Sequence, residues 1–160
     1  MEAGESSFAI GAGWHPYLRP AAGCDRGAIR LDVPPLRRVA LDARGLPVRG
    51  EDGELRLDPE ESPTGPLGDR CFDDLFQAPS GGWCGAVEAA GTRIELEADA
   101  RWRWMQIYAP EGSDYACIEP MLAPTAALSD GSGVTVEAGD VFEASFTIRV
   151  GSQEGESRGS

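Results

Sequence analysis

The segment Phe142-Glu143-Ala144-Ser145-Phe146-Thr147-Ile148-Arg149-Val150 alternates apolar and polar or small residues with a period of two. Successive side chains of a strand point to opposite faces, so Phe142, Ala144, Phe146, Ile148 and Val150 are expected to face inward together. The turn signal Ala138-Gly139-Asp140 stands just before it. The same alternation recurs up the chain. Ile29, Leu31 and Val33 flank Arg30 and Asp32, Val39 and Leu41 repeat the pattern, Leu55 and Leu57 follow a turn, and Ile94, Leu96 and Ala98 follow Gly91. Each reads as a half-buried strand. Ala100 to Pro110 is apolar or aromatic on both faces through Trp102, Trp104, Met105, Ile107 and Tyr108, which predicts a central strand. Asp114 to Glu119 is expected to end at Pro120, whose missing N–H stops ladder pairing and leaves Glu119 at a strand terminus.

No segment keeps a helical period over ten residues and there is no internal repeat. Many short strands joined by Gly, Pro and Asp turns predict an all-β protein, an antiparallel β-sandwich. The composition agrees: 41% of the 160 residues are hydrophobic, enough for a core, and 21 Gly with 12 Pro imply many turns. We divide the chain into a flexible N-terminus at 1–7, one β domain at 8–150, and a tail at 151–160 too polar to pack and expected to be disordered.

Charge excludes several functions. Fourteen basic residues against 27 acids leave a net charge of −13, a field that repels nucleic acid and anionic membrane surfaces but not a neutral ligand. All the basic residues are Arg; without Lys, neither Schiff-base chemistry nor a Walker lysine is available. No apolar run is long enough to span a membrane and the N-terminus lacks the features of a secretory signal, so a cytoplasmic location is expected. Cys24, Cys71, Cys84 and Cys117 are widely spaced and accompanied by a single His, a pattern that predicts neither a metal site nor a disulfide framework.

Three places can carry chemistry. His15, the only imidazole, sits in Gly13-Trp14-His15-Pro16-Tyr17, where Pro16 favours an extended backbone and the aromatic neighbours can floor a sugar. A surface His beside a proline turn would read the same way. Glu119 lies in the apolar run Cys117-Ile118-Glu119-Pro120-Met121, and a carboxylate there is costly unless it is paired or used, or faces water at the strand end. Asp69, Asp73 and Asp74 form an acidic knot at a strand start, either a solvated turn or a grip on hydroxyls. Arg101 and Arg103 are expected on a solvated outer face opposite the Trp residues.

Taken together the chain resembles the aldose 1-epimerases, or galactose mutarotases. Four segments in order carry the likeness: Gly13 to Tyr17, Phe72-Asp-Asp-Leu-Phe76, Trp104-Met-Gln-Ile-Tyr-Ala-Pro110, and Cys117 to Pro124 followed by Ala127-Leu128. Val136 to Ile148 is similar to the family's closing strand. The resemblance implies a galactose mutarotase-like supersandwich and interconversion of the α and β forms of a free hexose, with no cofactor. It implies Glu119 as general base, His15 as general acid, Asp73 or else Asp69 on sugar hydroxyls, and Gln106 as a second polar contact. A non-catalytic carbohydrate-binding module is the alternative. Family members are longer, and the segment resembling Gly13 to Tyr17 falls near their middle. The resemblance therefore implies that an N-terminal half, with another His and an Arg of the sugar site, is missing here. A sheet cut in this way would leave an unpaired edge open to self-association.

Overall fold

The computed structural model describes residues 4–152. Of the tail expected at 151–160, residues 153–160 lie outside the described residues. In chain order the strands begin with β1 (Phe8–Ile10), β2 (Tyr17–Leu18), β3 (Arg30–Asp32), β4 (Leu36–Val39), β5 (Leu57–Glu61) and β6 (Gly65–Pro66). There follow β7 (Phe72–Gln77), β8 (Trp83–Ala89), β9 (Thr92–Ala98), β10 (Trp104–Ala109), β11 (Ala116–Met121), β12 (Val134–Val136) and β13 (Phe146–Ser152). Beyond the strands there is one turn of 3-10 helix at Arg26–Ala28 and a four-residue helix, α1 (Ala127–Asp130). No helix among the described residues is long and apolar enough to cross a membrane.

All strand pairs are antiparallel. A six-stranded sheet runs β2-β11-β10-β7-β4-β5, a five-stranded sheet runs β13-β9-β8-β3-β6, and β1 pairs with β12. The two large sheets pack face to face. Leu31, Val87 and Leu96 from one sheet and Phe76, Met105, Ile107 and Ile118 from the other are buried in a single core. At Gly85 of β8 the layers come so close that a Cβ would stand 3.3 Å from the Ile118 side chain of β11 and 3.2 Å from that of Val33. The chain is thus the all-β antiparallel sandwich that the alternation predicts.

Three local readings need correction. Ala100–Arg103 is a turn, with Asp99 Oδ1 accepting from the Arg101 N–H at 2.8 Å, so β10 starts only at Trp104. Its position between β11 and β7 is nevertheless central, as expected. Pro120 does not end its strand: β11 runs through it to Met121, and Glu119 is interior. The N–H and C=O of one strand residue point to the same side, and the Pro120 carbonyl accepts from Trp14. The missing N–H therefore faces the N-terminal segment, beyond the end of the short β2, rather than β10. Finally, β13 begins at Phe146 rather than Phe142 and continues through Gly151 and Ser152, which pair with Arg93 and Thr92. Ile148 and Val150 are 42% and 70% exposed rather than inward. They share a face with Leu96 and Ile94, but β13 is the margin of its sheet and overhangs the core.

At the N-terminus, the Gly4 carbonyl accepts from Gly139 and the Ser7 hydroxyl donates to Glu137 at 2.7 Å, fastening residues 4–7 to the turn after β12.

Candidate functional site

The outer face of the six-stranded sheet carries the polar residues. Gln106 of β10 pairs with Glu119 of β11 and Leu75 of β7, and Tyr108 pairs with Cys117 and Asp73. Directly opposed residues share a face. Glu119, Gln106, Asp73, Tyr108 and Cys117 therefore form one patch, while Met105, Ile107 and Ile118 point to the core. Gln106 Nε2 donates to Asp73 Oδ1 at 2.9 Å, tying β10 to β7 on this face.

His15 reaches the patch from the N-terminal segment. Gly13 bridges to Met121, and the Trp14 N–H donates to the Pro120 carbonyl at 3.2 Å. Glycine eases the close approach, since a Cβ at residue 13 would lie 2.1 Å from Met121 Sδ and push that side chain aside. The imidazole then stacks on Tyr17 with centroids 4.7 Å apart, and its edge meets Tyr108 at 5.6 Å. Tyr115 closes on Tyr17 in turn, at 5.1 Å.

This seating puts His15 Nε2 3.1 Å from Glu119 Oε1. The two groups stand side by side rather than across a gap. Glu119 is only 5% exposed, the one charged residue buried among the described residues, while almost half of the His15 side chain is open to solvent. Oε1 receives no well-directed hydrogen bond despite the short separation, so the contact is one of proximity and charge. Burial, with a smaller contribution from the Asp73 charge, pushes the Glu119 carboxyl up to about 7. Burial and the field of Glu119 push the Cys117 thiol up to about 12. A carboxyl titrating near neutrality beside a half-exposed imidazole can accept and return protons at physiological pH.

Of the remaining expected residues, Asp69 stands apart. It is exposed in the loop before β7 and lines a cavity of about 550 Å³ with Asp25 and Glu111. Asp74 faces the other side of β7, 3.2 Å from Arg38. Trp102 is buried in the core, and Trp14, 61% exposed, leans on Phe146 rather than beside His15. Arg101 and Arg103 are exposed on either side of the buried Trp102, as expected of a solvated face, and both line a cavity of about 560 Å³ together with Trp104. Sequence reasoning missed Cys117 and Tyr108 as neighbours of the pair. The signal was present, since each lies two residues from Glu119 or Gln106 on the same strand.

Comparison with known proteins identifies the fold. The chain superposes on a galactose mutarotase-like protein from Clostridium acetobutylicum with a TM-score of 0.73 and 16% identity, covering 93% of this chain and 49% of that one. It superposes on a galactose mutarotase related enzyme from Lactobacillus acidophilus with a TM-score of 0.63 and 16% identity, covering 94% of this chain and 54% of that one. The architecture is that of the galactose mutarotase-like β-sandwich. The chain spans about half the length of the structures it matches. No protein-family model matches the sequence, and no curated protein does.

Proposed function

We propose that the chain carries the acid/base half of an aldose 1-epimerase site, interconverting the α and β forms of a free hexose by opening and reclosing its ring. The observation that carries this reading is the 3.1 Å approach of His15 Nε2 to a buried Glu119 carboxylate that lacks a directed hydrogen bond. Ring opening needs a base at the C1 hydroxyl and an acid at the ring oxygen, because either transfer alone leaves a high-energy charge. Both oxygens are bonded to one carbon, so two groups standing side by side reach both from the same edge of the sugar. Glu119 takes the hydroxyl proton as His15 donates to the ring oxygen. The C1–O5 bond breaks, the aldehyde rotates, and the two residues return the protons in reverse as the ring closes on the other face.

The surroundings fit a neutral polyol. Gln106 on the strand next to Glu119 offers an amide and Asp73, one strand further, an acceptor, suited to sugar hydroxyls. Tyr17 and Tyr108 pack on the imidazole and restrict its plane. The names of the structural neighbours point to the same chemistry. The span of the match, about half of each neighbour, favours a second reading in which the chain binds the hexose without turning it over.

Polarimetry of a freshly dissolved α-hexose separates the two. Acceleration over buffer that is lost in Glu119→Gln supports the epimerase. Saturable hexose binding with no acceleration supports the binding module, and neither binding nor acceleration refutes both.

A further inference from the structure

We propose that His15, Cys117 and Glu119 form a capture site for one thiophilic divalent cation, Zn2+ above all, whose binding blocks the acid/base pair. The donors come from two segments. Cys117 and Glu119 alternate on β11 and so face the same way, and His15 is laid over them by the Gly13 contact. One donor atom from each residue lies within 4.8 Å of the others. Around zinc, with bonds of about 2.0–2.3 Å, tetrahedral donors sit roughly 3.3–3.8 Å apart. The required contraction is at most about 1 Å.

A second observation points to a ligand. Glu119 Oε1 is buried, without a hydrogen bond, and on the side of His15. A cation would satisfy it. The set of one thiol, one imidazole and one carboxylate matches zinc sites that keep a fourth position for water, and the sulfur discriminates against Mg2+ and Ca2+. As the metal–sulfur bond forms, the thiol proton leaves to solvent. The net charge of −13 raises the local concentration of cations. Cys24, Cys71 and Cys84 are absent from the cluster, so Cys117 alone supplies the sulfur.

Binding does not depend on the epimerase reading, whereas the blocking of turnover rests on it. The test is titration of the whole chain with Co2+, a spectroscopic substitute for zinc, followed in the near-ultraviolet thiolate-to-cobalt absorption. The band is expected in the parent chain, displaced by Zn2+, lost in Cys117→Ser and retained in Cys71→Ser and Cys84→Ser. His15→Ala, at an exposed side chain that leaves the thiol intact, should weaken Co2+ by more than the roughly 10–100-fold that loss of an outer-shell partner costs. A band that survives Cys117→Ser, or no thiolate band in the parent chain, overturns the site. Should the band follow these expectations while sugar turnover is absent, the metal site stands and the epimerase reading falls. Where turnover is present, inhibition by Zn2+ and recovery with chelator are expected; turnover indifferent to Zn2+ overturns the blocking role.

Discussion

Replacing Glu119 with Gln should make the protein more stable, and only above mildly acidic pH. The folded carboxyl titrates at about 7 against 4.5 for an unperturbed one, which corresponds to about 3 kcal/mol between the two protonation states. The raised value means that the folded chain binds the proton more tightly than the unfolded chain. Stability linked to Glu119 is therefore fully present below pH 4.5 and lost as the pH rises through about 7. Glutamine is nearly isosteric and carries no charge, so it avoids that loss. At pH 8 the variant should exceed the parent by up to about 3 kcal/mol, roughly 6–12 °C in Tm for a chain of this size. At pH 4 the two should coincide within about 0.5 kcal/mol. Urea unfolding followed by tryptophan fluorescence at both pH values measures the difference. Equal stability changes at the two pH values, or a variant less stable than the parent at pH 8, would refute the claim that the carboxylate is held against its desolvation penalty. The experiment is indifferent to whether the chain turns over sugar.

Other perturbations test how the site is held. Gly13→Ala drives a Cβ into Met121 Sδ and should cost about 1–3 kcal/mol, with most of that recovered in the double variant with Met121→Ala, read by thermal unfolding. Arg26 donates to the carbonyls of Gly68, Arg70, Ala109 and Ser113 at 2.6–3.1 Å and so clamps the loops before β7 and after β10. Arg26→Met should destabilise by about 3 kcal/mol in urea titration, because those acceptors lose their donor. Ala126, before α1, adopts a left-handed conformation at φ 66°, so Ala126→Gly should stabilise by about 1 kcal/mol in the same assay.

Much of the fold is legible in the alternation of apolar residues. Leu31, Val39, Leu96 and Ala98 are buried as their spacing demands, because one-sided burial imposes a period of two. The alternation fails at Ile148 and Val150, since pattern identifies a face but not whether another layer lies above it. The strand expected from Ala100 on begins only at Trp104, because Trp102 is buried in a turn and donates its indole N–H to the Ser145 carbonyl at 2.9 Å. The Asp99 side chain that nucleates that turn was the local signal, masked by dense aromatics. At the site, an isolated carboxylate in an apolar run singles out Glu119, which the structure buries, for a physical reason that needs no tertiary information. Asp73 and Asp69 could not be separated by sequence, because only the register of β7 against β10 puts Asp73 beside Gln106. The pairing of His15 with Glu119 comes only through the family resemblance, since the close approach depends on the contact of Gly13 with Met121 across more than one hundred residues.

The central claim is that His15 and Glu119 act as one proton-transferring unit, and exchange NMR between the α and β anomeric protons of a hexose tests it directly. With the parent chain, His15→Asn, Glu119→Gln and the double variant compared, each single change should slow interconversion by at least about 100-fold. The double variant should then be no slower than the worse single one, as expected of residues that work together. Losses that multiply in the double variant, or a single variant that keeps the parent rate, would contradict the account.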